Sequence, residues 1–251
     1  MIIDVGLYAP VKRIKDGLQA QRPIFAEMTS FLKDTFGYDI LCCGYLHERI
    51  EGERPYFVNR LDIYANDNET YGLMMENGFN VRYNGQSSTQ ETEALHHFLR
   101  LAAEHRVPHS FPLLRHPRKY ASLLLKDTDK LYIDTKQLFP ICHSFEDAYK
   151  GNLLNRNADE LKALIVGRFP DRWIYRVYVS SERIYVFYDT IRHEDENDAN
   201  GTTEEIKNLC HAYIRSLDEY GYFNQTANLV QTDSDEIVKQ RYGGNYYYYF
   251  K

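Results

Sequence analysis

The first residues to weigh are those that could do chemistry. Asp62 stands near the end of an expected strand, beside Arg60 and Tyr64 on the same face, with Glu48 and Glu51 at the rim of the neighbouring strand. A carboxylate pair of this kind is what a metal-dependent nuclease or hydrolase needs to hold a divalent cation and position water. No lysine lies nearby to complete such a site, and carboxylates at strand ends are commonly just solvated. Nine histidines are present. His96, His97, His105 and His109 are the densest group, but their spacing matches no zinc signature. His97 and His105 are two helical turns apart, too far for one ion to join easily. Asp127 and Asp129 lack the glycine and closing glutamate of a calcium loop. Cys142-His143 and Cys42 with His47 are candidate nucleophile–base pairs, and neither has a motif behind it. There is no G-x-S-x-G, no phosphate-binding P-loop and no G-x-G-x-x-G. The sequence therefore assigns no catalytic residue, no metal ligand and no cofactor.

Two segments suit binding better than catalysis. His105, Arg106, His109, Arg115, His116, Arg118 and Lys119 concentrate positive charge in the segment 105–120, with Tyr120 adding a ring. Arg115 and Arg118 are its candidate contacts to phosphate or to an acidic protein. The second segment is the C-terminus, where Tyr246, Tyr247, Tyr248, Tyr249 and Phe250 follow Gly243-Gly244. Read as a strand, it would carry large rings on both faces and could dock a partner or a second copy of the chain. The alternative is that it completes or covers the protein's own sheet.

The elements that must position these residues follow from periodicity. Ile2 to Leu7 reads as a short strand stopped by Pro10. Ile24, Phe25, Met28, Phe31 and Leu32 recur at helical spacing from Pro23 and stop at Gly37. Strands are expected at 38–47 and 55–65, with weaker ones at 70–75 and 79–83 around Asn77-Gly78. Ser88 with Glu91 forms a capping box for a helix carrying Leu95, Phe98, Leu99 and Ala102. A small hairpin is expected at 123–133 and a short helix from Ser144. Asn157 with Glu160 opens another helix. Trp173 to Val179 and Ile184 to Tyr188 then alternate as the clearest hairpin in the chain. The acidic stretch 193–201 reads as an exposed loop. Thr202 with Glu205 caps a helix with Ile206, Cys210 and Tyr213 on one stripe, ending at Gly221. Residues 228–232 read as a short strand, and Ser234 as the cap of a final helix.

The order helix, hairpin, helix thus occurs twice. The fold expected is α+β: antiparallel sheet or sheets with helices packed on one face, with duplicated helix-hairpin-helix units as one reading of that order. The division is 1–106, an irregular connection 107–157, and 158–251 with its aromatic tail.

Composition bounds the function classes. The 251 residues are 26% charged and 43% hydrophobic, which suits a folded chain. A net charge of −6 argues against a protein that coats nucleic acid. Apolar runs are far short of the roughly 20 residues that cross a bilayer, and no secretory signal is visible. Four cysteines without CxxC spacing read as buried thiols in a reducing cytoplasm. Twenty-two tyrosines against one tryptophan are the unusual feature. Tyrosine suits surfaces that are partly apolar and partly wet, as interfaces are. The expectation is a non-enzymatic protein-binding module of inhibitor, immunity or adaptor type, its partner another protein or a second copy. The alternatives are a metal-dependent hydrolase at Asp62 and a nucleic-acid binder at 105–120.

Overall fold

The computed structural model describes residues 5–50, 56–79, 88–105, 107, 133, 138–224 and 228–251. Within these the chain forms two compact units, Met1–Phe145 and Glu146–Lys251. The class is α+β, with two three-stranded sheets, one in each unit.

In the first unit α1 (Val5–Lys15) and α2 (Pro23–Phe36) precede the hairpin β1 (Ile40–Ile50) and β2 (Tyr56–Ala65). Then come α3 (Asn68–Glu76), α4 (Thr89–Glu104) and β3 (Leu138–Ser144). α2 starts with Pro23, whose missing N–H costs nothing in a first turn, and ends at Gly37 in the left-handed conformation (φ 74°). Ile24, Met28 and Leu32 of α2, Leu61 and Ile63 of β2, and Phe98 and Ala102 of α4 form one buried core. Ser88 caps α4 by accepting from Glu91 N, as the capping box requires.

The second unit repeats the layout. α5 (Phe145–Arg156) carries the chain into it, followed by α6 (Ala158–Arg168) and the hairpin β4 (Ile174–Val179) and β5 (Ile184–Tyr188). α7 (Ile191–Ala199), α8 (Thr202–Leu217), β6 (Val230–Ser234), α9 (Asp235–Tyr242) and α10 (Tyr246–Tyr249) complete it. Leu161 and Ile165 of α6 and Ile206, Cys210 and Ile214 of α8 bury Val177, Ile184, Val186 and Val230 of the sheet.

Neither sheet is purely antiparallel, as the sequence reading had it. β1–β2 and β4–β5 are antiparallel, but β3 runs parallel to β2 and β6 parallel to β5. A parallel neighbour needs a crossover, which is why helices follow the second strand of each hairpin. This corrects two expectations. Residues 70–75 are not a strand: Asp67 accepts from Thr70 N and starts α3, which buries Thr70 and Met74 one turn apart. Residues 193–201 are not a loop: Thr190 accepts from His193 N and starts α7, and Asn197 donates to the Arg172 and His193 carbonyls. Phe79 likewise lies outside any strand, and the rest of the expected strand 79–83 falls outside the described residues. So does most of the expected hairpin 123–133.

The remaining differences are local. The chain from Val5 is helical through Pro10 rather than extended. Asn157 makes no capping bond to its helix; its amide donates back to the Leu153 carbonyl. Gly201 (φ 83°), not Thr202, occupies the cap of α8.

The two sheets also share a bulge. The first strand slips between Ile40 and Cys42 in one unit, and between Ile174 and Arg176 in the other. Ile40 pairs with Ala65 and Ala65 with Ser144; Ile174 pairs with Tyr188 and Tyr188 with Ser234. The likeness is one of layout: Ile40 and Ile174, and Ser144 and Ser234, coincide at matched positions, but Ala65 matches Tyr188 and His143 stands where the second sheet has Asp233.

Ser234 is fully buried and accepts from Ile237 N at the start of α9. Ser234→Ala should lower stability by about 1 kcal/mol. Urea unfolding checks this, and a loss within error would show that the cap bond is dispensable.

Candidate functional site

Asp62 is buried at the centre of the first sheet, on the face opposite Leu61 and Ile63. Its Oδ1 accepts from Arg60 Nε at 2.9 Å and from His143 Nε2 at 2.8 Å. The carboxylate can only accept, so the imidazole carries its proton on Nε2. The His143 ring stacks on Tyr64 (centroids 4.8 Å, 20°). The register explains the meeting: Asp62 pairs with Ile141 and Tyr64 with His143, so a side chain on β3 reaches the carboxylate two residues back on β2.

In the backbone register Asp62 lies opposite Gly44 and Glu48 opposite Val58, so the two positions are four residues apart along the hairpin, about 13 Å at roughly 3.3 Å per residue. Glu51 lies outside the described residues. Among the described residues no three His, Cys, Asp or Glu side chains converge as metal ligands. The Asp62 cluster can join β2 to β3 by charge-assisted bonds.

The other sequence candidates disperse. His105 Nε2 bonds to Glu27 Oε1, and His97 lies flat on Phe31 (3.7 Å, 7°) with Nδ1 against Arg100. Cys42 and Cys43 are both buried, as are Cys142 and Cys210. Burial pushes the Cys43 and Cys210 thiols up to about 12, so neither supplies a thiolate near neutral pH. Arg115 and Arg118, with most of the basic segment 105–120, lie outside the described residues.

The C-terminal rings do assemble, though not as a strand. Gly243 (φ 61°) and Gly244 (φ 78°) reverse the chain after α9, and the Asn245 side chain accepts from Tyr247 N to open the single turn α10. That cap is why the segment is helical. α10 lies on the face of the second sheet that points away from its core. Phe250 stacks on Tyr178 (4.6 Å) and meets Tyr185 (4.8 Å). Tyr246 and Tyr249 both stand edge-on to Phe187 (5.0 and 5.3 Å). Their hydroxyls donate to Asp235 (2.6 Å) and Asp233 (2.8 Å), and burial, followed by these bonds, holds both phenols above their ordinary range. Tyr247 and Tyr248 point outward, 62% and 57% exposed.

Around this turn further rings reach solvent. Trp173, Tyr175, Tyr178, Tyr242, Tyr247 and Tyr248 are six of the nine exposed large apolar side chains among the described residues, and all belong to the second unit. Cations lie over them: Arg176 over Tyr246 (4.5 Å) and Tyr175 (5.7 Å), Lys239 over Tyr175 (5.5 Å), and Lys251 over Tyr247 (4.5 Å).

Sequence reasoning missed one group. Trp173 is the single non-glycine residue with positive φ among the described residues (53°), which costs on the order of 1–3 kcal/mol. Its indole stacks on His193 (4.3 Å, 8°), whose Nδ1 bonds to Asp189, and Asp189 N donates to the Trp173 carbonyl. The Asp-x-x-x-His spacing across the α7 cap was the available signal. Beside His193, Glu194 faces Asp233, Asp198 and Asp195, and burial followed by these charges raises its carboxyl to about 7.

The chain matches no protein-family model, no curated protein and no solved structure.

Two outcomes follow from this geometry. Asp62→Ala leaves Arg60 and His143 facing a buried gap and should destabilise the chain by about 3 kcal/mol, measured by urea unfolding. A loss under about 1 kcal/mol would mean that the cluster does not join the strands. Glu194 holds its proton in the folded chain at pH values where the unfolded chain, with an ordinary value of 4.5, has released it. Its contribution to stability is therefore greatest below that value and is lost as pH rises towards about 7. Glu194→Gln should melt higher than the parent at pH 8 and converge with it in acid; equal melting curves at pH 8 would contradict the assignment.

Proposed function

We propose that this chain is a protein-binding module of inhibitor, immunity or adaptor type, which meets its partner with the ring-bearing surface of its second unit. One observation carries the reading: exposed aromatic side chains are gathered on β4 and the C-terminal segment rather than scattered. Single exposed apolar residues need no explanation, but contiguous ones on a polar rim mark interaction surfaces. Tyrosine is the side chain expected there, since it presents large area with few rotatable bonds and keeps a polar tip for water or a partner. Packing of the unit's own core does not call for Tyr175, Tyr247 or Tyr248, which lie outside its buried cluster. Among the described residues no helix is long and apolar enough to cross a membrane.

The test is a photo-crosslinker placed at Tyr247 of the full chain in its source cell, with Tyr175→Ser, Tyr248→Ser as the companion variant. The expected result is a crosslinked protein that the variant captures at least about tenfold less, while its melting temperature changes by no more than a surface substitution allows. Crosslinking that the variant leaves untouched, or that yields no protein, would overturn the reading.

A further inference from the structure

The chemistry of this surface narrows the partner. Rings and cations are interleaved on it: Arg176 lies against Tyr175 and Tyr246, and Lys251 against Tyr247 and Tyr248 (4.5 and 5.9 Å). Among the described residues Arg176, Arg183 and Lys251 make no ion pair, whereas Lys239 is paired with Asp235. The nearby acids are already engaged: Asp235 by Lys239 and the Tyr246 hydroxyl, Asp233 by the Tyr249 hydroxyl. The surface thus offers Arg176 and Lys251 without an ion pair, Arg176 within electrostatic range of Asp235, on a chain whose net charge is −6. It also offers phenol hydroxyls, since those of Tyr175, Tyr178, Tyr247 and Tyr248 make no hydrogen bond within the described residues.

Ring faces decide between two classes of anionic ligand. A single-stranded nucleic acid needs open faces on which bases stack. Here cations cover faces of Tyr175, Tyr247 and Tyr248, and Phe250 covers one face of Tyr178. The cations and the phenol hydroxyls remain for a ligand. Carboxylates accept from both, as charge-assisted bonds to Arg and Lys and ordinary ones to phenols.

Building on the protein-binding reading, we propose that the face formed by Tyr175, Arg176, Tyr178, Tyr247, Tyr248 and Lys251 docks an acidic, Asp/Glu-rich segment of a partner protein. Arg176 and Lys251 receive carboxylates, and the phenols beside them fix the segment's register. Steering by these charges makes association fall with added salt.

The test uses the full chain and a short fluorescein-labelled peptide of alternating glutamate and alanine, followed by fluorescence anisotropy. A same-length peptide with glutamine for glutamate, and a short oligothymidine, serve as competitors of different chemistry. The expected result is salt-sensitive binding of the glutamate peptide alone, weakened at least about tenfold by Arg176→Glu with Lys251→Glu. Both side chains are on the surface, and an unchanged circular-dichroism melt verifies that the variant is folded. Equal binding of the glutamine peptide, or no effect of charge reversal, overturns the acidic-segment proposal. If the Tyr247 crosslink then survives, the protein-binding reading stands and only the partner's chemistry was misjudged; if it fails too, both fall. Tighter binding of oligothymidine through the same two residues would assign the face to nucleic acid instead. A concentration-dependent dimer that the same variant abolishes would assign it to a second copy. Either result overturns the proposal.

Discussion

Each unit depends on one constraint: the third strand lies parallel to the second. A hairpin cannot make such a pair, so the chain must leave the sheet and return over helices. It leaves at Ala65 and returns at Leu138 in one unit, and leaves at Tyr188 and returns at Val230 in the other. Two things follow locally. Helix starts fall just past the second strand, where Asp67 and Thr190 supply the caps. The carboxyl ends of two neighbouring strands also come together, so residues there meet across the ladder although far apart in the chain. Asp62 and His143 meet this way, as do Phe187 and Asp233.

The sheets cover that shared position with opposite chemistry. In the first unit a buried carboxylate and a buried imidazole meet a half-buried guanidinium. Such a cluster adds little net stability when intact, because desolvating the charges offsets their attraction, but losing one member is costly. That asymmetry makes it a device for holding register more than for adding stability. In the second unit Phe187 is enclosed by Tyr246, Tyr249 and Phe250, and the two acids at the strand end take phenol hydroxyls. Ring burial contributes stability directly, and the acids remain hydrogen-bonded rather than stranded. Glu194, crowded by Asp233, Asp198 and Asp195, bears the remaining electrostatic strain.

Much of this fold was legible in the sequence where periodicity and capping agreed. Pro23 to Gly37, the two hairpins, Ser88 and Ser234 all announce themselves through local rules. The α+β class followed from them. Parallel pairing of β3 and β6 was not legible, because each is short, follows a long connection and has no turn to fix its partner. Residues 68–76 and 191–199 were misread for a related reason. Their composition is polar or weakly patterned, and they are helical because of one capping side chain and the crossover they serve, neither of which is a periodic signal. At the candidate sites, Arg60 and Asp62 were visible as neighbours, but His143 was not visible as their partner. The positive φ of Trp173 was not legible, since it is set by the packing of His193 and the backbone bond from Asp189; only the Asp189-x-x-x-His193 spacing pointed to the group.

The aromatic tail separates what the fold needs from what it does not. A helical turn of consecutive large residues cannot turn every ring to one side; positions i, i+3 and i+4 share a face, and i+1 and i+2 do not. Tyr246, Tyr249 and Phe250 are at the first set and meet the sheet. Tyr247 and Tyr248 are at the second set and stand in solvent under Lys251. Geometry requires that two residues point outward here; it does not require that they be tyrosines. Serine or lysine at 247 and 248 would leave every ring contact with the sheet in place and expose less apolar area to water. Two phenols thus stand where packing has no use for them, next to a cation without an ion pair, and the proposed docking face is built on them.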